Sequence, residues 1–224
     1  MKSILLYNLY LVNNWQQVTE EIFAYIPQDD VYVNINFDWR YFYQIPKALL
    51  FLKKYQKIRK IFFSTNHASL GEVKGFENFR RKINFDKYKI VTYTHSKGVT
   101  KPNNKYVAAW RELMRYFIME KFEDTVKAFN EEYYLYGTLL SQNLVNGKLT
   151  INKTLNVSHW YRGTFVSINL NKLRERFLTM PIQQNFYGIE AFFGELCEFE
   201  RCYNAHYVEE SLYSYEYVSS KYKN

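Results

Sequence analysis

The chain has 224 residues, is 47% hydrophobic, and carries 30 Lys and Arg against 22 Asp and Glu, for a formal charge of +8. This length fits one large domain over residues 1–224, and the apolar fraction is enough for a sizeable core, which excludes disorder over most of the length. No window approaches the roughly 20 apolar residues of a membrane helix, and two cysteines, Cys197 and Cys202, are too few for a disulfide framework and read as reduced thiols of a cytosolic protein.

In chain order, Ser3 to Val12 is an apolar run that reads as a first strand rather than a leader, since Asn8 interrupts it and Asn13-Asn14-Trp15 comes after it. Trp15, Val18, Ile22 and Tyr25 recur at steps of three and four, predicting a helix that Pro27 and Asp29-Asp30 stop. A strand over Val31–Ile35, a helix entered at Pro46 and continued over Ala48–Tyr55, and a strand over Ile61–Thr65 come next. After a loop from Asn66 to Gly71, a helix covers Val73–Ile83. Tyr88–Thr94 is a continuous β-rich run of the kind buried at the centre of a parallel sheet. Strand–helix alternation over this half is the pattern of an α/β sheet.

The second half predicts a long helix, Asn104–Phe129, with the apolar row Trp110, Met114, Ile118, Phe122 and Val126. A strand over Leu135–Leu140 and a hairpin turned by Asn146-Gly147 come after it. A strand over Thr164–Ile168, a short helix over Asn171–Leu178 and a helix over Phe186–Phe199 complete the regular part. From about Tyr203 the chain reads as irregular, with an edge strand over Asn204–Val208.

The positive charge suits an anionic partner: a nucleic acid, an anionic membrane leaflet or a phosphorylated substrate. No nucleic-acid signature is present. The high aromatic content goes with abundant Lys, Asn and Ile and reads as compositional bias. The stretch with most chemical content is Tyr93-Thr94-His95-Ser96-Lys97-Gly98-Val99, where the buried strand gives way to polar residues at its carboxyl end. Open α/β sheets bind ligands there. His95 and Lys97 can supply donors or positive charge to a departing diphosphate, and Gly98 permits close backbone approach.

This stretch, with Gly71-Glu72 before it and Trp110, Arg111, Met114, Tyr116 and Phe117 after it, resembles a family of bacterial and giant-virus glycosyltransferases. Their pattern is His-Ser/Thr-Lys-Gly-Val at a strand end, then Trp-Arg and Met-x-Tyr-Phe on a helix. A second block of the family, His-aromatic-Ser-Gly-Asn-Phe, is similar to His159-Trp160-Tyr161-Arg162-Gly163-Thr164-Phe165, with Arg162 and Thr164 replacing Ser and Asn. A late-helix Glu of the family is matched by Glu190.

The resemblance implies a single GT-A (Rossmann-like) domain with a mixed, mostly parallel central sheet flanked by helices. It further implies a nucleotide-sugar donor, UDP-linked in the simplest case, and a saccharide or lipid-linked saccharide acceptor in surface-polysaccharide synthesis. Such an enzyme is expected in the cytoplasm, or peripheral on the inner face of the cell membrane in contact with anionic lipid. Lys97 and Glu190 are the candidate catalytic residues. Tyr7, Tyr10, Asn66, Gly71, Glu72, His95, Ser96, Lys97 and Gly98 are candidates for the donor, and Arg111, Tyr161 and Arg162 for the acceptor.

Most GT-A enzymes hold Mg²⁺ or Mn²⁺ through Asp-x-Asp, which is found nowhere in this sequence. Two alternatives stay open. His95 and Lys97 neutralise the diphosphate without metal, or a metal binds through His95 or His159. An inactive sugar- or nucleotide-binding protein is the second functional expectation, and a nucleic-acid-binding protein the third.

Overall fold

The computed structural model of the chain describes residues 2–208 and 222–223. Its first half runs β1 (Ser3–Tyr10), α1 (Trp15–Phe23), β2 (Asp30–Phe37), a 3-10 turn (Trp39–Gln44), α2 (Ile45–Leu52), β3 (Ile58–Thr65), α3 (Val73–Lys82) and β4 (Ile90–His95). Then come α4 (Lys105–Arg115), a π turn (Tyr116–Glu120), α5 (Phe122–Asn130), β5 (Leu135–Gly137), β6 (Leu140–Gln142), β7 (Leu144–Val145) and β8 (Lys148–Leu149). Last are β9 (His159–Tyr161), β10 (Val166–Asn169), α6 (Leu170–Thr179), α7 (Gly188–Glu195) and β11 (Cys202–Asn204).

Among the described residues, seven strands form one sheet in the order β11-β5-β10-β4-β1-β2-β3. The pairs β1–β2, β1–β4, β2–β3 and β5–β11 are parallel, and only β10 runs antiparallel, between β4 and β5. This is a mixed, mostly parallel, Rossmann-like α/β sheet. Two-stranded pieces, β6–β9 and β7–β8, stand apart from it.

Burial explains the central strands. β1 and β4 have neighbours on both edges and helices on both faces, so Ile4 to Leu9 and Ile90 to Thr94 are buried without alternation. One face packs Leu5, Tyr7 and Leu9 against Trp15, Val18 and Ile22 of α1, Leu52 of α2 and Trp110, Leu113 and Met114 of α4. The other packs Ile4 and Leu6 against α3, α6 and α7, with the Phe76 ring meeting Tyr93, Phe177, Phe192 and Phe193.

The structure departs from expectation where sequence period and local backbone disagree. The long helix breaks into α4 and α5, because the π turn inserts a residue and closes with Lys121 N–H donating to Tyr116 O. One extra residue rotates the apolar stripe by about a quarter turn. Thr125, Ala128 and Phe129 are therefore buried, while the expected Phe122 and Val126 lie half-buried. The strand expected over Leu135–Leu140 divides at Leu139, whose φ is 59°. The helix expected from Phe186 starts at Gly188 and ends at Glu195. The edge strand is Cys202–Asn204, parallel to β5, instead of Asn204–Val208. Of the tail expected to be irregular, residues 209–221 and 224 lie outside the described residues.

Candidate functional site

The parallel strands β1, β2, β3 and β4 end together at Tyr10, Phe37, Thr65 and His95, which makes one carboxyl edge. His95 closes β4 and points both ring nitrogens at acceptors. Nδ1 lies 2.5 Å from Glu72 Oε1 and Nε2 lies 3.0 Å from the carbonyl oxygen of Gly163. A carbonyl accepts only, so Nε2 donates to the Gly163 oxygen, and the ring bridges that carbonyl and the Glu72 carboxylate. The ring packs edge-on to Phe165 and parallel to Tyr93.

Glu72 immediately precedes α3, and its second oxygen accepts from the Tyr93 hydroxyl at 2.8 Å. Burial would raise its carboxyl, but the charge and hydrogen bond of His95, with the Tyr93 hydroxyl and Lys97, hold it below the usual range. Burial and the Glu72 charge push the Tyr93 phenol well above its ordinary value.

Lys97 and Glu190 form the other half of the cluster. The Lys97 ammonium lies 3.9 Å from the centre of the Trp110 ring, a cation–π contact. Burial pushes this ammonium down from the ordinary lysine range, against the pull of Glu190 and Glu72. Glu190, in the first turn of α7, accepts from the Gly163 N–H at 3.3 Å. Burial raises its carboxyl, with Lys97 and the Gly163 N–H opposing. Glu190 and Lys97 thus feel each other's charge, the carboxyl raised and the ammonium lowered by burial, and groups so perturbed cluster at functional sites.

Gly163 joins the two halves. Its carbonyl meets His95 and its N–H meets Glu190. Its φ is 95°, and a Cβ there would come within 2.6 Å of Met114 Sδ and 2.9 Å of Trp110. Only glycine fits both the backbone and the space.

Ser96 binds the edge together at β1: its hydroxyl accepts from the Tyr10 N–H at 2.9 Å, and its own N–H donates to Asn8 O at 3.0 Å. Beside it runs a chain of amides. Asn34 donates to Asn8 and Ser64, Ser64 donates to Asn36, Asn36 donates to Asn66, and Asn66 donates to the Tyr10 hydroxyl at 3.2 Å. Asn78 of α3 donates to Asn34.

The structure therefore brings together Glu72, His95, Lys97 and Glu190, with Tyr10, Asn66 and Ser96 on the adjoining edge. Gly71 lies one residue before Glu72, at φ 50° beneath the Phe186 carbonyl. Other candidates are placed elsewhere. Tyr7 faces α1, fully buried, bonded to the Thr19 hydroxyl. Gly98 leaves room for α4: a Cβ there would meet Val107 at 2.8 Å and Arg111 at 3.0 Å. Arg111 is buried and clamps Glu21 to the Lys97 carbonyl. Tyr161 is buried, donating to Tyr203 O, and Arg162 donates to Val208 O.

His159 lies in β9 beside Ser158 and Phe199, and burial lowers its imidazole. Among the described residues no group of three or more His, Cys, Asp or Glu side chains is disposed to hold a metal ion. Both nitrogens of His95 are already engaged, so the donor set does not fit a protein-ligated metal of the expected kind.

Sequence reasoning missed Gly163, Tyr93 and the amides other than Asn66; Trp110, read as core, is buried there and also lies under the Lys97 ammonium. Asn34 and Asn36 alternate on β2 with Ile35 between them, and two amides on one face of a central strand were a readable signal. Gly163 gave none, because its role lies in backbone atoms.

No protein-family model and no curated protein matches the chain. Solved structures similar to it include HddC from Yersinia pseudotuberculosis, at 10% identity and TM-score 0.40, covering 85% of this chain and 84% of HddC. Another is S. aureus TarS 1-349, at 12% identity and TM-score 0.44, covering 87% of this chain and 56% of that one. The same protein in complex with UDP-GlcNAc aligns at 14% identity and TM-score 0.44, over 97% of this chain and 62% of its own. The chain thus spans less than two thirds of the TarS fragment.

Proposed function

We propose that this chain is a GT-A-type glycosyltransferase that takes a sugar from a nucleotide-sugar donor, UDP-linked in our reading, and passes it to a saccharide or lipid-linked saccharide acceptor. The observation that carries the reading is the cluster Glu72–His95–Lys97–Glu190 at the carboxyl edge of the parallel strands. That edge is where such sheets bind nucleotides. The strand-end motif His95-Ser96-Lys97-Gly98-Val99, with Trp110-Arg111 after it, supplies two of the four cluster residues and supports the same reading.

Within this reading Lys97 is the charge that meets the leaving diphosphate, held over Trp110 so that it is already in place when negative charge develops. Glu190 is the base that takes a proton from the acceptor hydroxyl, its carboxyl raised by burial toward greater basicity. Glu72 and His95 act as positioning residues, fixing the Gly163 loop that presents its N–H to Glu190. Tyr10 and Asn66 border the donor.

A second reading is favoured by one observation: the polar groups of the cluster already answer one another inside the protein, His95 bonded to Glu72 and the Gly163 carbonyl, and Lys97 under the charge of Glu190. A cluster so satisfied fits a protein that binds a nucleotide sugar without turning it over.

A thermal-shift series of nucleotide sugars, each with a single-turnover transfer assay, separates the readings. Ligand binding to the native state alone raises apparent stability by about 2.7 kcal/mol at a hundredfold excess over Kd. Stabilisation with transfer supports the enzyme, stabilisation without transfer supports the binding protein, and neither effect removes both. Localisation in the cytoplasm at the inner face of the membrane belongs to the same proposal. Among the described residues no helix is long and apolar enough to cross a membrane.

A further inference from the structure

We infer that the segment from Trp39 to Lys60 is a docking surface for an anionic lipid bilayer. The 3-10 turn and α2 are attached to the protein by one face, with Ala48 and Leu52 buried against the sheet. The outward side carries Trp39 at 71% exposure, Phe42 at 57%, Tyr43 at 64% and Leu50 at 71%. Exposed apolar side chains scattered singly need no explanation, but four within twelve residues form a patch.

Basic groups share the outward side. Lys47 and Leu50 lie three residues apart on α2 and so on one face, and Tyr43, in the 3-10 turn, and Lys54, just past the helix, are exposed as well. The Lys54 ammonium lies 4.0 Å from the Phe51 ring. From Trp39 to Lys60 the sequence holds seven Lys and Arg residues and no Asp or Glu. Acids from outside the segment reach three of these cations: Asp38 pairs with Arg40, Glu20 with Lys54 and Asp30 with Arg59. The segment keeps a positive excess at Lys47, Lys53, Lys57 and Lys60.

This combination selects one occupant. Amphipathic Trp and Tyr rings sit at the headgroup level of a bilayer, Leu and Phe enter the acyl boundary, and lysines meet anionic headgroups. An acidic protein surface would match the lysines but leave Trp39 and Leu50 without an apolar counterpart. The position also matters. The Trp39 ring packs edge-on at 5.4 Å against Phe37, the last residue of β2, so the patch borders the carboxyl edge that carries the candidate site. On the proposed function, a lipid-linked acceptor held in the bilayer would be presented next to Lys97 and Glu190, but the docking itself does not depend on that reading.

The test is sedimentation of the full chain with vesicles of phosphatidylcholine alone, and with vesicles in which one third is phosphatidylglycerol. The protein is expected to pellet with the second and not the first, and to be released by salt. Tryptophan emission should shift to the blue on binding in the wild type and in Trp15→Phe, but not in Trp39→Phe. A Lys47→Glu/Lys53→Glu double variant should lose at least about tenfold in affinity, since each cation near an anionic surface contributes roughly fivefold. Its melting temperature should be unchanged. A control with Val145→Ser and Ile151→Ser, exposed apolar residues of a different part of the surface, should bind as the wild type does. Equal binding to both vesicle types, or to neither, overturns the proposal. So does lipid-independent self-association that the double variant abolishes, because a second copy is then the occupant.

Discussion

At the residue scale the two carboxylates of the cluster are predicted to act on stability with opposite signs. Glu72 is held below the usual range, so its stabilisation is present above the ordinary glutamate value and is lost as pH falls through and below it. Glu190 is raised, so it is neutral without penalty in acid and destabilises as pH rises from the ordinary glutamate value through its own. Glu72→Gln should therefore lower stability at neutral pH by about 1–3 kcal/mol, the cost of weakening its bonds to His95 and Tyr93. Glu190→Gln should leave stability unchanged or raise it at neutral pH, with the difference vanishing in acid. Denaturant melts of both variants from acid to neutral pH check this, and parallel curves would show that the carboxylates do not differ as described. Lys97→Ala should fold normally, keep some donor binding and lose about a hundredfold or more in single-turnover transfer, as expected for a preorganised group that acts on developing charge. Near-normal transfer in the folded variant would end the role given to Lys97. The sequence displayed these charged groups, but not that both nitrogens of His95 are consumed inside the protein.

At the scale of elements, strand-to-helix alternation made the first half readable, because α1 and α3 bury apolar stripes at steps of three and four against largely apolar strands. The second half was less so. The π turn has no compositional signature, and its effect is visible only in which residues of α5 are buried. β9 is three residues long, and its importance to the site comes from the backbone of Gly163, two residues past its end. Gly163→Ala should be among the more damaging small substitutions in the chain. Strained φ and a collision with Met114 and Trp110 should together cost about 1–3 kcal/mol or more, and Lys97-dependent transfer should fall with it. Phe76→Ala, at the meeting of four aromatic rings between α3, α6, α7 and β4, should cost about 3–5 kcal/mol without altering nucleotide affinity at a temperature where the variant is folded. Chemical melts and nucleotide titrations distinguish these two outcomes. A Phe76→Ala variant that loses the ligand while folded would place the aromatic junction in the site.

At the scale of the whole molecule, the donor set around His95 leads to the prediction that nucleotide-sugar binding persists in excess EDTA. Loss of the thermal shift in chelator, restored by Mn²⁺, would mean that the ligand's own phosphates complete a metal shell this chain only borders. The order of the strands also has a meaning in time. β4, β1, β2 and β3 lie consecutively in the sheet and are all complete by residue 95, so this parallel part of the sheet is available to a nascent chain early. The Gly163 carbonyl that receives His95 is synthesised 68 residues after the histidine, and Glu190 later still. A ribosome that stalls between these points leaves a polypeptide with a sheet edge and a half-built cluster, its basic strand end lacking Glu190 and the Gly163 clamp. On the proposed function, competence at the site would require synthesis at least as far as Glu190, and a fragment released earlier would carry the strand-end charge without its partners.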